Sequence, residues 1–199
     1  MMKVKYTILS ALLFTTGICF TSCKDKKEKA ESVQSTITST EALVPDTALY
    51  GKLGEGTGMS CIEIITDEGD TLTLNKINET TGDAGVLLGG TEHYDDPLTI
   101  TTDATQESIL TLVNLRTLTR KWQNPASQST LKLENNGKVS ATCNGKTYNQ
   151  WRMWNAHLLL KNTTGKADKQ ECDTFEIREL NQDSLVIAHK DSTFTFYSK

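Results

Sequence analysis

The chain has 199 residues, 25 acidic against 21 basic, a formal net charge of −4 and 37% hydrophobic content. That length holds one ordinary domain or two small ones with sizeable cores. The acidic balance, with no basic run suited to tracking phosphates, argues against nucleic acid as a partner. In chain order, Lys3 and Lys5 precede an apolar run from Tyr6 to Phe20, and small polar residues follow, which is the layout of a secretory signal peptide. The run is about 15 residues, short of the roughly 20 that cross a bilayer core, so cleavage is expected rather than a permanent span.

Phe20, Thr21, Ser22 and Cys23 resemble the lipobox of bacterial lipoproteins, with Phe20 where Leu is usual and Ser22 where Gly or Ala is usual. The resemblance implies removal of residues 1–22 and lipidation of Cys23 with several acyl chains such as palmitate, enough to hold firmly where one chain holds marginally. Residues 23–45 then form a charged and Ser/Thr-rich tether with few large apolar side chains. Its lysines, Lys24, Lys26, Lys27 and Lys29, resemble the export signal of Bacteroides-type lipoproteins, richer in lysine than the usual acidic version. An outer-membrane lipoprotein on the periplasmic or cell-surface face is the expectation, with a solvated spacer of no sorting role as the alternative. Without Lys3 and Lys5 the balance is 19 basic against 25 acidic residues, about −6.

From Asp46 onward no convincing 3.6-residue apolar period appears, whereas short alternating runs recur between turn signals, so an all-β chain is predicted. Residues 46–117 divide into six short strands, TALYGKLGEG, SCIEIITDE, DTLTLNKI, GVLLGG, DPLTITT and SILTLVNL. Asp67 to Asp70 marks a hairpin, and residues 82–96 read as loops around one strand. Six such strands suit a small OB-like barrel. Glu107 to Leu118 competes as a helix, but its first half reads as strand.

Residues 118–199 read as seven strands, STLKLEN, KVSATC, TYNQWRMW, HLLLK, DTFEIREL, SLVIAHK and STFTFYS, with hairpin turns at Asn136-Gly137 and Asn144-Gly145. Leu131, Leu133, Phe175, Ile177, Leu185, Ile187, Phe194 and Phe196 are the expected core. A seven-strand meander avoids exposed edges by closing or by packing on a second sheet. With LTRKW, STLKLENNGKVSAT, TYNQWRMW and DTFEIRELNQDSLVI, this stretch resembles the lipocalin-like domains of Bacteroides-type surface lipoproteins, and the first stretch resembles the small β module that often precedes them. The resemblance implies two antiparallel modules, an OB-like barrel and a lipocalin-like barrel or meander. It makes Trp122 the tryptophan that closes the open end of the barrel, with Arg120 in place of the usual glycine. Envelope-stress lipoproteins pair similar barrels in reverse order, but their Cys-x-x-Cys motif is missing, which argues against carrying over sensing or copper handling.

Candidate sites are sparse. Period-two alternation would place Tyr148 and Trp154 on one face and Trp151 on the other, giving either core packing or an aromatic surface for a flat or sugar ligand. Cys143 with Cys172 is the expected disulfide of an exported protein, both lying at strand edges of one module, with buried thiols as the alternative; Cys61 is expected as a buried thiol. His93, His157 and His189 lie far apart, so no metal site and no cofactor are expected. No nucleophile-and-base pattern is present, so an enzyme is not expected. Asp46-Thr47-Ala48, with similar triplets at Asp70, Asp183 and Asp191, resembles an O-glycosylation acceptor of Bacteroides-type exported proteins; Thr47 is the candidate, and a plain turn is the alternative. Two functions remain: capture of a small apolar or carbohydrate ligand at the envelope, or a non-catalytic structural or accessory role with a protein partner.

Overall fold

The structure, a computed structural model, describes residues 44–143, 145–162 and 171–198. The expected signal, Cys23 and most of the tether lie outside them, as does Asn144. The strands are β1 (Leu49–Leu53), β2 (Cys61–Thr66), β3 (Thr71–Asn75), β4 (Val86–Leu88), β5 (Pro97–Thr102) and β6 (Ile109–Asn114). One helical turn, α1 (Leu115–Leu118), leads into β7 (Lys121–Asn124), β8 (Ser129–Leu133), β9 (Lys138–Cys143) and β10 (Lys146–Trp154). The chain closes with β11 (His157–Asn162), β12 (Glu171–Leu180), β13 (Ser184–His189) and β14 (Ser192–Ser198).

The first six strands form one sheet in the order β3-β2-β1-β5-β6-β4, antiparallel except where β4 runs parallel to β6. Ile62, Ile64, Leu74, Leu98, Ile100 and Leu112 alternate onto one face and bury there. Gly69 accepts φ +98° in the β2–β3 turn, a conformation an L side chain rarely adopts. The OB-like barrel takes a partly closed form. Its β3 and β6 approach through the parallel bridge Asn75–Ser108 and the Asn75 N–H bond to the Glu107 carbonyl at 2.8 Å, so the sheet curls without a full ladder there. The competing helix at 107–118 resolves into β6 followed by α1, which Asn114 caps by accepting from the Arg116 and Thr117 amides.

The last eight strands close an antiparallel barrel in which each strand pairs with its sequence neighbours. Closure comes from β14 pairing with β7 through Tyr197–Gln123 and Ser198–Trp122. The seven-strand expectation lacked β7, which carries one inward apolar residue, Trp122. One end of this barrel carries α1, the start of β7 and the hairpin turns at 134–137, 154–157 and 181–183. The other, the mouth, carries the turns at 125–128, around Gly145 and at 190–191. Trp122 is fully buried at the α1 end, opposite the mouth rather than at the open end as expected, its Nε1 donating to the Leu118 carbonyl at 2.9 Å.

Core residues Leu131, Phe175, Leu185, Ile187 and Phe196 are no more than 1% exposed. A hollow calyx would leave its lining open to a water-sized sphere, so these layers are filled by side chains, as an eight-stranded barrel permits. Leu88, Val113 and Leu118 enter the same cluster from β4, β6 and α1. The two sheets thus share buried surface. Asp96, 1% exposed, reinforces the junction by accepting from Asn114 at 2.8 Å and pairing with Arg116.

Candidate functional site

Inward positions on neighbouring strands gather ionisable side chains at the mouth. Asp173 on β12 accepts from the Tyr148 hydroxyl at 2.7 Å and from the Lys146 ammonium at 2.9 and 3.2 Å, both on β10. The Nε2 of His189, at the end of β13, stands 3.7 Å from Asp173. Its Nδ1 lies 2.9 Å from the Thr174 carbonyl. Below them the Phe175 ring lies 5.1 Å from the His189 ring and 6.2 Å from those of Tyr148 and Phe194. Burial alone would raise the Asp173 carboxyl, but the Tyr148 hydroxyl and the Lys146 ammonium outweigh it and hold the group below the usual carboxylate range. The result is a fixed carboxylate with donors around it and an aromatic floor beneath, an arrangement that can receive the polar end of a small molecule.

The aromatic trio does not divide as alternation predicts. The β9–β10 register shifts between Tyr148 and Gln150. The extra residue resets parity, so Tyr148, Trp151 and Met153 point inward while Arg152 and Trp154 point outward. Trp151 packs against the core near the opposite end, donating to the Glu134 carbonyl at 2.8 Å. Trp154 lies outside that end, 4.2 Å below the Arg152 guanidinium and bonded through Nε1 to the Val44 carbonyl at 2.9 Å. The three therefore do not converge, and only Tyr148 reaches the mouth.

The expected Cys143–Cys172 disulfide is corrected as well. Cys61, Cys143 and Cys172 are thiols. Cys143 faces inward on β9 and Cys172 faces outward on β12, with β10 and β11 between them, so no sulfur-to-sulfur approach exists. Burial pushes the Cys172 thiol up. Cys61 is half-buried rather than buried.

Thr47 is exposed, and its amide and hydroxyl bond to the Asn155 side-chain oxygen at 2.8 and 3.3 Å. Asn155 also donates its side-chain amide to the Pro45 carbonyl at 2.9 Å and its backbone amide to Asp46 at 3.1 Å. With Trp154 bonded to Val44, the β10–β11 hairpin tip clasps residues 44–47 at the α1 end. Among the described residues, no group of three potential metal ligands gathers. His189, one of the three histidines scattered along the sequence, lines the mouth at the end of β13. Three strands must close a barrel before Asp173, Lys146, Tyr148 and His189 meet, so no local spacing announces them.

Residues 113–199 match a family described as lipocalin-like. The matched stretch takes in the end of β6, α1 and the whole closed barrel from β7 to β14. No curated protein and no solved structure matches the chain.

Proposed function

We propose that this chain is a non-catalytic, lipid-anchored envelope protein that holds a small apolar or carbohydrate ligand at the mouth of its lipocalin-like barrel. One observation carries the reading: within the described barrel, inward-facing ionisable groups gather at the mouth, where Asp173, Lys146, Tyr148 and His189 stand above Phe175 and Phe194. A polar group on the ligand meets Asp173 or Lys146, and an apolar chain or sugar face rests on the half-buried Phe194. Because the layers below are filled, the ligand is small and sits at the rim. Trp151 and Trp154 are assigned to packing.

Cleavage before Cys23, acylation of that cysteine, an outer-membrane location and glycosylation of Thr47 belong to the same proposal. The seat of residues 44–47 supports it, because the upstream chain joins the barrel at the end opposite the mouth.

A second reading, an accessory lipoprotein that contacts a protein partner, is favoured by the filled interior. Native mass spectrometry of the protein extracted from its host membranes in mild detergent separates the two. Ligand capture predicts a retained small-molecule mass that leaves on denaturation and is absent from Asp173→Asn. A bare mass, repeated after incubation with host lipids and glycans, would turn the assignment to the accessory role. The covalent mass of the same sample reports acylation and glycosylation independently of the ligand.

A further inference from the structure

The outer wall of the barrel carries a second concave surface whose charge opposes that of the whole molecule. In a chain of net charge −4, a shallow, open depression of about 390 Å³ at the α1 end is lined by Arg120, Lys121, Lys132, Glu134, Asn135 and Asn136. Lys121 and Lys132 stand directly opposite each other on β7 and β8. Like charges in that relation repel. Glu134 relieves Lys132 at 2.6 Å. Among the described residues no carboxylate pairs with Arg120 or Lys121, which leaves the depression with an excess of positive charge.

Arg120 is held in place by neutral partners. Its two terminal nitrogens donate to the backbone and side-chain oxygens of Gln182 at 3.0 and 3.1 Å, and its guanidinium lies 5.5 Å from the Trp122 ring centroid. A guanidinium offers five N–H groups, so three remain after these bonds, and none of its charge is cancelled. Asn135 and Asn136 line the facing turn, where the Asn136 side chain bonds to the Glu134 carboxylate and accepts from the Lys138 amide at 3.0 Å. A fixed planar cation beside an exposed ammonium suits a tetrahedral oxyanion better than a planar apolar ligand.

We propose that this depression binds a phosphate-type anion, with Arg120 and Lys121 as its ionic donors. Two sources present that chemistry, a lipid headgroup and a soluble phosphate ester. The test uses the protein in neutral detergent and follows the Arg120 and Lys121 amides and the Trp122 indole by proton–nitrogen NMR. Inorganic phosphate is titrated against sodium chloride of matched ionic strength, and micelles doped with phosphatidylglycerol are compared with micelles doped with phosphatidylcholine.

Saturable shifts are expected beyond those from chloride, weakened at least tenfold by Lys121→Glu and unchanged by Asp173→Asn at the far end. Saturation with phosphatidylglycerol alone assigns the headgroup; saturation with inorganic phosphate assigns the soluble ester. Shifts no larger than those from chloride in both arms would overturn the proposal. So would titrations unaltered by Lys121→Glu in a variant whose remaining spectrum shows an intact fold.

Discussion

Asp173 is the residue on which the mouth depends. It is 12% exposed and receives hydrogen bonds from Tyr148 and Lys146, so its charged form is favoured in the folded chain. A carboxyl lowered by folding stabilises the fold above its unfolded pKa of about 3.9, and that contribution disappears as pH falls through the lower folded value. Asp173→Asn is therefore expected to lower the melting temperature near pH 6 to 7. The gap from wild type should narrow as pH falls below the ordinary carboxylate range. Calorimetry across that range checks the prediction; a gap independent of pH would show that the ionised form is not what the neighbours stabilise.

At the level of single elements, β10 shows what alternation can and cannot convey. The apolar positions of β8, β13, β14 and of β12 as far as Ile177 were legible because alternation holds there, and Leu131, Phe175, Ile187 and Phe196 are buried as expected. In β10 the shift between Tyr148 and Gln150 breaks that period, and nothing in TYNQWRMW marks where the extra residue falls. The consequence is measurable by urea denaturation. Met153→Ala, at a 5% exposed inward position, should cost about 2–4 kcal/mol. Trp154→Ala, on the outer face, should cost nearer 1 kcal/mol for its contacts with Arg152 and Val44. The reverse ranking would mean that Trp154 is the core residue. Strand β7 was missed for another reason, since KWQN gives four residues and one apolar side chain too little pattern to register. The basic depression was hidden similarly, because Lys121 and Lys132 are neighbours only after β7 pairs with β8.

For the whole molecule, the decisive fact is that the filled barrel draws part of its core from the preceding sheet. Leu88 and Val113 pack in the cluster that holds Trp122 and Leu131, and Gly89 bonds to the Leu180 carbonyl at 2.9 Å. Leu88→Ala should therefore destabilise the barrel itself, by about 2–4 kcal/mol. Tryptophan fluorescence and far-ultraviolet circular dichroism should still report one coincident transition. Separate transitions, with the tryptophan signal unmoved, would show that the sheets are energetically independent. The clasp at residues 44–47 gives this shared body a mechanical character. Strand β1 lies between β2 and β5, and the Asn155 and Trp154 bonds grip the chain just before it enters that position. Tension arriving from upstream meets the tip of the β10–β11 hairpin first, so the load spreads into the barrel wall before β1 can be unzipped from its neighbours.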